Sequence, residues 1–476
     1  MHSDRREFLR NLALGSGALA ISPAAFNVIE AIPDDQLERS LALEQAPQRF
    51  NMCGYAAPKL DKVRVGIVGL GMRGPGAVSR LSVIEGVEIN ALCDKYPDRV
   101  DKAQKILQKA GLPAAKAYSG NEGWKAMCES KDLDLIYITT PWSLHTPMAV
   151  YAMKNGKHAA TEVPAAKTLD ECWELVETSE KTKQHCMMLE NCCYDFFEQL
   201  TLNMVRHGML GELIHAEGAY IHDLRDLNFD KNGYADMWRL RENASRNGNL
   251  YPTHGLGPIA QCMNINRGDQ MEHLVSMSTN DFMMNDIAKE RAAKDPFYQE
   301  FVNKPYRGNM NTTLIRTRKG KTIMVQHDVT SPRPYSRIHL ISGTEGVASK
   351  WPSPERIAFG HEWIKKEEMD DVYEKYTTPL VRHIGDIAKE VGGHGGMDFI
   401  MDWRLIDCLR NGLPLDQDVY DAALWSAIAP LSETSVAKRS RTVDIPDFTR
   451  GAWTSNKPVS LTLDGGATTK ARKAAK

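Results

Sequence analysis

With 476 residues, the chain is long enough to form two domains, each with a buried core. Its 59 Lys and Arg residues nearly balance its 61 Asp and Glu residues, and the net charge of −2 argues against a broad basic surface for nucleic acid. The nine Cys residues are scattered, odd in number and free of CxxC spacing, which excludes a disulfide framework and a zinc site. We therefore expect no nucleic-acid partner and no bound metal.

The N-terminus carries a twin-arginine pattern. Arg5 and Arg6 precede an uncharged, largely apolar stretch at residues 11–21, which is far shorter than the roughly 20 apolar residues of a permanent span. We expect residues 1–30 to be a Tat-type signal peptide, recognised by the Tat export machinery, which sends the protein to the periplasm or cell envelope. The alternative is an amphipathic helix of a cytoplasmic protein. Residues 31–60 are assigned as an N-terminal extension.

A glycine-rich motif follows the first apolar run. Val63–Val68 predicts a buried strand, and residues 77–84 predict the start of a helix. Between them, Gly69 suits a tight turn, Gly71 lets the backbone approach a pyrophosphate, and Gly74 lets the helix pack on the strand. This order indicates a dinucleotide-binding turn. A glycine turn in some other α/β unit is the alternative.

The next apolar run ends in an acid. Residues 87–93 are followed by Asp94, about 20 residues after the last glycine of the motif, which is the spacing expected of the group that holds ribose hydroxyls. A carboxylate there repels the 2′-phosphate of NADP, so we expect NAD. Lys95 and Arg99 lie close enough to keep NADP open.

Strand and helix patterns then alternate up to residue 191, as in a doubly wound parallel sheet. The predicted helices are residues 98–110, 121–128, 148–154 and 169–183, and the predicted strands are residues 133–140, 158–162 and 187–190. Ligands of such sheets bind beyond the carboxyl ends of the strands. Four segments should therefore meet at one crevice, namely residues 69–74, 141–145, 162–164 and 190–191.

The pattern changes after about residue 210. Alternating strands are predicted at residues 212–222, 274–279, 311–317, 321–328 and 337–342. We expect an α/β fold, with a Rossmann domain at residues 61–191 and an α+β domain with an open, mostly antiparallel sheet at residues 192–455. Residues 456–476 are predicted to form a flexible tail, which ends in the low-complexity residues 465–476.

Several segments resemble the glucose–fructose oxidoreductase and inositol dehydrogenase family: GLGMRG, CDKY, TPWSLH and TEVPAA. That family pairs an NAD(P)-binding domain with an open β-sheet domain. Two departures matter. Val163 stands where the family has a proton-transferring Lys. Leu250, four residues before His254, stands where the family has an Asp. An ordinary sugar dehydrogenase is therefore disfavoured.

Further motifs resemble glycoside hydrolase family 109, the NAD-dependent α-N-acetylgalactosaminidases of that superfamily: GMRG, PWxxHTP, TEVP, LEN, HDLR, WRxR and YxTHGLGP. The resemblance implies NAD contacts from Met72, Arg73, Asp94, Trp142, Ser143, Leu144, His145, Glu162, Val163 and Asn191. It implies sugar contacts from Tyr220, Arg239, Tyr251, Pro252, Thr253, His254 and Tyr335. Spacing around Tyr335 varies.

The resemblance implies hydrolysis of glycans with terminal α-N-acetylgalactosamine by oxidation, elimination, addition and reduction, with no net redox change. The alternatives are an exported NAD(P)-dependent sugar oxidoreductase with net hydride transfer and a non-enzymatic sensor. The oligomeric state is left open. The resemblance makes a homo-oligomer one alternative, since an exposed face of the open sheet often builds dimers in the wider family.

His254 and Tyr251 are the candidate catalytic residues. His254 is flanked by Pro and Gly, which favour a loop, and its imidazole titrates near neutral pH. Tyr251 could act as phenol or phenolate, since a nearby cation would lower its pKa. The alternatives are a structural hydrogen bond for His254 and a core position for Tyr251.

Three further side chains are placed near the crevice. We expect His145 to touch the nicotinamide or its ribose, with capping of a turn as the alternative. Arg241 offers planar donors for a sugar, with a solvated surface pair as the alternative. His394 lies among four glycines and is a candidate neighbour of the site, with a flexible hinge as the alternative.

Overall fold

The computed structural model describes residues 34–472, so the predicted signal peptide lies outside the described residues. The first sheet contains β1 (Val63–Val68), β2 (Val87–Asp94), β3 (Lys116–Ser119), β4 (Leu135–Ile138), β5 (His158–Thr161) and β6 (Cys186–Met188). All pairs are parallel, in the order β3-β2-β1-β4-β5-β6. This is the doubly wound dinucleotide-binding order, and the predicted fold class is confirmed.

Helices cover both faces of this sheet, which explains why most of its strands are continuous apolar runs. They are α2 (Gly74–Ser82), α3 (Pro97–Lys109), α4 (Gly123–Cys128), α5 (His145–Lys154) and α6 (Leu169–Thr182), preceded by α1 (Asp34–Leu43). The exception is the edge strand β3, whose residues are mostly exposed. Because β3 carries no apolar run, the sequence pattern does not predict it.

The second sheet has eight strands in the order β13-β12-β11-β7-β10-β9-β8-β14. They are β7 (Leu213–Ile221), β8 (Met271–Ser278), β9 (Asn311–Thr317), β10 (Thr322–Asp328), β11 (Leu340–Gly343), β12 (Val347–Ser349), β13 (Arg356–Ala358) and β14 (Val443–Asp444). The pairs are antiparallel except for the parallel pair β7–β10. The predicted open, mostly antiparallel sheet is confirmed, and the short strands β12 to β14 are additions to it.

The remaining helices connect and cover this sheet. They are α7 (Phe196–Arg206), α8 (Arg225–Asn228), α9 (Trp238–Asn243), α10 (Thr253–Cys262), α11 (Met284–Lys294), α12 (Lys366–Tyr376), α13 (Pro379–Val391), α14 (Met397–Asn411) and α15 (Val419–Ala437). Two of them return to the first sheet, since α14 contacts β1 and α2, and α15 contacts β6 and α6.

Helix α15 joins the two sheets. It packs against α6 and β6 on one side and against β8 on the other, and residues 419–435 are all buried. The Ser426 hydroxyl accepts a hydrogen bond from the main-chain N–H of Ala165 at 3.0 Å. A helix buried all round fixes the elements that it separates. Among residues 34–472, no helix is long and apolar enough to cross a membrane.

Residues 456–472 belong to the predicted flexible tail, but residues 467–472 are hydrogen-bonded to α14 and to the segment between α2 and β2. The Lys470 carbonyl accepts from the Glu85 N–H at 2.7 Å, and the Thr469 carbonyl accepts from the Trp403 indole N–H at 3.0 Å. The prediction of a flexible tail is wrong for these residues. Composition cannot reveal that α14 and the turn before β2 leave polar groups that the returning chain satisfies.

Deletion of residues 467–476 should lower the free energy of unfolding by about 2–3 kcal/mol. The deletion removes main-chain partners of Trp403 and Asp407, and such hydrogen bonds contribute about 1 kcal/mol each. Chemical denaturation would measure the change. Deletion of residues 473–476 alone is the control, and equal stability of the two truncated proteins would contradict a docked tail.

Candidate active site

The glycine turn between β1 and α2 has the shape that the motif predicts. Gly69 has a φ of +92°, and a Cβ there would lie 2.7 Å from the main chain of Thr139. A Cβ on Gly74 would lie 2.3 Å from the Gly69 carbonyl oxygen, so the packing of the chain requires both glycines. A Cβ on Gly71 would meet only the Arg99 guanidinium, at 3.4 Å. The second glycine therefore leaves room for a ligand, as a pyrophosphate needs.

Asp94 ends β2 beside this turn. One carboxylate oxygen accepts the Leu70 N–H at 2.6 Å, and the other accepts the Tyr96 N–H at 2.9 Å. The Arg99 guanidinium lies 3.7 Å from the carboxylate. The structure thus places a fixed negative charge at the rim of the turn, with a cation beside it. The choice of NAD over NADP stays a prediction.

A carboxylate from α14 reaches the cofactor side of the crevice. Asp398 accepts hydrogen bonds from the Asn191 amide and from Arg73 Nη1 at 3.3 Å, and it lies 3.4 Å from Arg80 Nη1. Burial alone would raise the pKa of Asp398, but a hydrogen bond from His394 and the two guanidinium charges outweigh it and lower that pKa. The carboxylate therefore stays ionised and ties α14 to the first domain.

The segment after β5 carries Glu162 and Val163. Glu162 accepts a hydrogen bond from Arg73 Nε at 2.8 Å, and its side chain is 11% exposed. Val163 is buried and apolar. The position where the resemblance expects a Lys ammonium therefore has no proton to transfer. The rim instead carries the ion pair between Arg73 and Glu162.

Aromatic rings from both domains meet at their junction. Trp142 stacks on Tyr251 with ring centroids 5.7 Å apart, and Tyr251 lies 4.7 Å from Tyr220. Tyr335 meets Tyr220 edge-on at 6.1 Å. Four residues predicted from separate motifs are thus brought together in one cluster, although their contacts with ligands stay predictions.

Arg239 of α9 lies inside this cluster. Its guanidinium carbon is 4.9 Å from the Tyr251 ring centroid and 5.4 Å from that of Trp142, and Nη1 donates to the Tyr234 hydroxyl at 2.8 Å. Nη2 is buried and makes no hydrogen bond within residues 34–472. A guanidinium with a spare donor suits a sugar hydroxyl or an acetamido oxygen.

Tyr251 is a neutral phenol in this arrangement. Burial raises its pKa well above the ordinary value, and the charge of Arg239 offsets only part of that rise. The sequence predicts that a nearby cation lowers the pKa of Tyr251, and this is wrong for the net shift. Loss of hydration raises the pKa by more than the charge of Arg239 lowers it. Tyr251 can therefore donate a hydrogen bond to a substrate oxygen.

His254 lies in the first turn of α10 and not in the loop that its neighbours predict. Pro252 is compatible with a helix N-terminus, and a Cβ on Gly255 would lie 2.2 Å from the main-chain nitrogen of Ala219 on β7. Close packing on β7 therefore requires this glycine. The His254 Nδ1 lies 2.8 and 3.0 Å from the two carboxylate oxygens of Glu190, just after β6. Its Nε2 makes no hydrogen bond within the described chain.

Three side chains of the kinds that bind metal ions lie together in the same region. Atoms of Glu190, Cys192 and His254 lie within 4.8 Å of one another. The hydrogen bond between Glu190 and His254 explains this closeness. Burial raises the pKa of the Cys192 thiol well above its ordinary value, so the thiol stays protonated. A protonated thiol and an occupied ring nitrogen are poor ligands, and this arrangement gives no support for a metal site.

His145 follows the short turn of residues 142–144, whose last two residues are exposed. Its Nδ1 lies 2.7 Å from the Pro164 carbonyl oxygen, and its Nε2 lies 2.7 Å from that of Thr140. Both ring nitrogens thus face the main chain, as expected of a residue that fixes a turn. A contact between His145 and the nicotinamide stays a prediction.

Three other candidates lie at the margin. Arg241 pairs with Glu300 at 2.8 Å and is half-exposed, which agrees with the surface alternative. His394 precedes α14, and its Nδ1 lies 3.0 Å from Asp398. Met72 is 53% exposed beside the glycine turn.

Two carboxylates at the site have no role in the sequence prediction. The strand-end rule places Glu190 at the crevice, but nothing local shows that it meets His254, which is 64 residues away. Asp398 comes from 207 residues beyond Asn191, after a glycine-rich stretch that predicts only close approach of the backbone. Only the folded chain brings these groups together.

The fold and the site define an enzyme with a nicotinamide-nucleotide-type Rossmann domain and an open-sheet domain that closes its crevice. Residues 63–190 match the model of the oxidoreductase family, NAD-binding Rossmann fold, and residues 194–455 match that of the glycosyl hydrolase 109, C-terminal domain. The structure resembles that of levoglucosan dehydrogenase in complex with NADH and L-sorbose, with a TM-score of 0.62 and 17% identity, over 82% of this chain and 100% of that one.

Two curated relatives share about half of the sequence. The chain is 50% identical to an alpha-N-acetylgalactosaminidase of Bacteroides fragilis over 86% of this chain and 97% of that protein. It is 52% identical to a glycosyl hydrolase family 109 protein of Porphyromonas gingivalis over 83% of this chain and 86% of that protein. The chain therefore belongs to glycosyl hydrolase family 109, and it is a glycoside hydrolase.

Gly71→Ala and Gly74→Ala should separate ligand binding from folding. The first adds a Cβ that meets only the end of Arg99, so it should lower the NAD content of purified protein and leave the stability of nucleotide-free protein unchanged. The second forces a Cβ to 2.3 Å from a carbonyl oxygen and should lower the stability of nucleotide-free protein. Nucleotide content after denaturation and thermal unfolding would measure the two effects. Unchanged NAD content in Gly71→Ala would contradict the role given to this glycine.

Proposed function

We propose that the protein hydrolyses terminal α-N-acetylgalactosamine residues, using NAD that is regenerated in every turnover. The observation that carries the proposal is the contact between the two domains, where Trp142 packs on Tyr251 and Arg239 and where Glu190 meets His254. The relative at 50% identity, named alpha-N-acetylgalactosaminidase, supports N-acetylgalactosamine as the sugar that is released. The dehydrogenase-like fold supports the use of a nicotinamide cofactor.

The residues of the first domain fit NAD. A Cβ on Gly71 would meet only the end of the Arg99 side chain, and Asp94 at the end of β2 binds the Leu70 N–H of the same turn. NAD held there would supply a reversible hydride acceptor for C3 of the sugar, and a C3 ketone would make the C2–H acidic enough for loss of the glycosidic oxygen from C1 and addition of water. This route differs from the usual hydrolysis by a pair of carboxylates, to which NAD-dependent glycosidases are an exception.

The side chains of the second domain handle protons and orientation. His254 Nε2 takes the proton of the C3 hydroxyl while the carbonyl forms, and gives it back at the end. Tyr251, held as a neutral phenol, donates a hydrogen bond to a sugar oxygen. Arg239 Nη2 is a buried donor without a partner in the described chain, and a sugar oxygen would satisfy it.

We also propose export through the Tat pathway to the periplasm or cell envelope, supported by the twin arginines Arg5 and Arg6.

Self-association of the open sheet is proposed on the basis of its exposed apolar side chains. These include Ile214, Met277 and Leu314, which are 51%, 66% and 47% exposed.

Cleavage of an aryl α-N-acetylgalactosaminide in D2O should release N-acetylgalactosamine that carries deuterium at C2. The physical reason is that the C2 proton is removed during elimination and replaced from solvent during addition. Proton NMR of the released sugar would show loss of the H2 signal. His254→Ala should lower the rate of release by about 10²-fold or more, since acid–base catalysis by a positioned side chain contributes that much.

The control is free N-acetylgalactosamine incubated with the same protein, which reports any exchange after release. Release without deuterium at C2 would overturn the oxidation and elimination route. If no sugar is released but free NAD is reduced by a sugar, the protein is an oxidoreductase with net hydride transfer.

A further inference from the structure

We infer that Glu190 is the positioning residue for His254. Its carboxylate holds the ring in the tautomer with a proton on Nδ1, so that Nε2 is free to accept a proton from the sugar. The inference rests on the proposed function, in which His254 Nε2 takes the proton of a sugar hydroxyl. It adds the residue that decides which nitrogen can do so.

With Glu190 ionised and the His254 ring neutral, the contact leaves one arrangement of protons. Both oxygens of Glu190 lie within 3.0 Å of His254 Nδ1, and one of them also accepts the Cys192 N–H at 3.0 Å. An ionised carboxylate can only accept hydrogen bonds, so Nδ1 must carry the proton that lies between them. In the neutral ring the second nitrogen is then an acceptor, which is the state that a general base requires.

Glu190 is held in place from several sides. The Glu190 side chain is fully buried, and the main-chain carbonyl oxygen of Glu190 accepts a hydrogen bond from the Gln417 side-chain amide at 3.0 Å. Gly257 of α10 makes room for it, since a Cβ there would lie 2.9 Å from Glu190 Cγ and 3.0 Å from Cys193 Sγ. The helix that carries His254 is therefore shaped to admit this carboxylate. Because the Glu190 side chain is confined in this way, it fixes the orientation of the His254 ring and also places a negative charge beside it.

Glu190 also replaces an acid that the chain lacks. Leu250, four residues before His254, is buried and apolar, and its main-chain N–H donates to His327 Nδ1 at 3.1 Å. Nothing at position 250 can orient the His254 ring. The carboxylate comes instead from the segment just after β6, in the other domain. The hydrogen bond between Glu190 and His254 therefore forms only when the two domains are docked.

Other ionisable groups surround the ring without bonding to Nδ1. On the elements packed against α10 they are Tyr220, His222, Tyr251, Arg239, Cys192 and His327. Glu198 on α7 is also buried, but it is paired with Arg337 and Lys350. Burial alone would raise the pKa of Glu190, but the interactions with His254 outweigh it and lower that pKa. Glu190 therefore remains an anion at neutral pH.

Glu190→Gln is the decisive variant. Removing the negative charge makes the ionised imidazole less favourable, so the acid limb of the pH profile of kcat/KM should move by about one unit toward lower pH. The weaker and less firmly oriented base should lower kcat by about 10²-fold or more. Glu190→Asp keeps the charge and should move the acid limb back toward that of the unchanged protein. An acid limb that stays in place in Glu190→Gln would overturn the inference.

Glu180→Gln is the matched control, because Glu180 is also a buried glutamate but contacts Tyr420 and Arg450 away from the crevice. It should lose stability, yet its pH profile should not move. A readout without substrate comes from nitrogen NMR of 15N-histidine protein, with the His254 signal assigned by its loss in His254→Gln. A proton on Nδ1 is expected above neutral pH, and a proton on Nε2 would overturn the inference. Because this readout needs no turnover, it stands even if the proposed substrate is wrong.

Discussion

The buried carboxylate of Asp398 is the contact on which the geometry of the crevice depends. It arises at the start of α14, yet it binds Arg73 next to the glycine turn, Arg80 of α2 and Asn191 after β6. Two buried or partly buried guanidinium groups would be costly without an anion, and the anion would be costly without them. Each partner thus requires the others, so the cofactor turn, the last strand of the first sheet and α14 take fixed relative positions.

The substrate side of the crevice follows a different physical rule. It is an aromatic enclosure around one guanidinium, in which Trp142, Tyr220 and Tyr251 surround Arg239 and exclude water. In such a site a charge interacts strongly with any dipole that replaces water. The same lack of water keeps Tyr251 protonated, so the phenol is suited to donate hydrogen bonds, and the proposed mechanism gives the proton-accepting role to His254.

The departures from the dehydrogenase pattern form one consistent set. Val163 removes an ammonium group from the nicotinamide side, and Leu250 removes a carboxylate from the helix that carries His254. The carboxylate that meets His254 is that of Glu190, and Gly257 supplies the space for it. The group proposed to handle protons therefore consists of a histidine and a glutamate from different domains.

The sequence by itself determined the local elements and the type of cofactor domain. The apolar runs ending at Asp94 and Glu190 predicted strands, the glycine spacing predicted the turn, and the motifs indicated Arg239, Tyr251 and His254. These signals are local, because period, spacing and strand ends need only neighbouring residues. Short polar strands such as β3, and the docking of residues 467–472, carry no such signal.

Only the tertiary structure decided which partners these residues meet. The pairing of Glu190 with His254 and the contacts of Asp398 join positions 64 and 207 residues apart. The protonation of Tyr251 depends on how completely its neighbours exclude water, and Arg241 turns to the surface while Arg239, two residues earlier, turns inward. Hydration, burial and long-range hydrogen bonds are properties of the packed chain, so no pattern along the sequence specifies them.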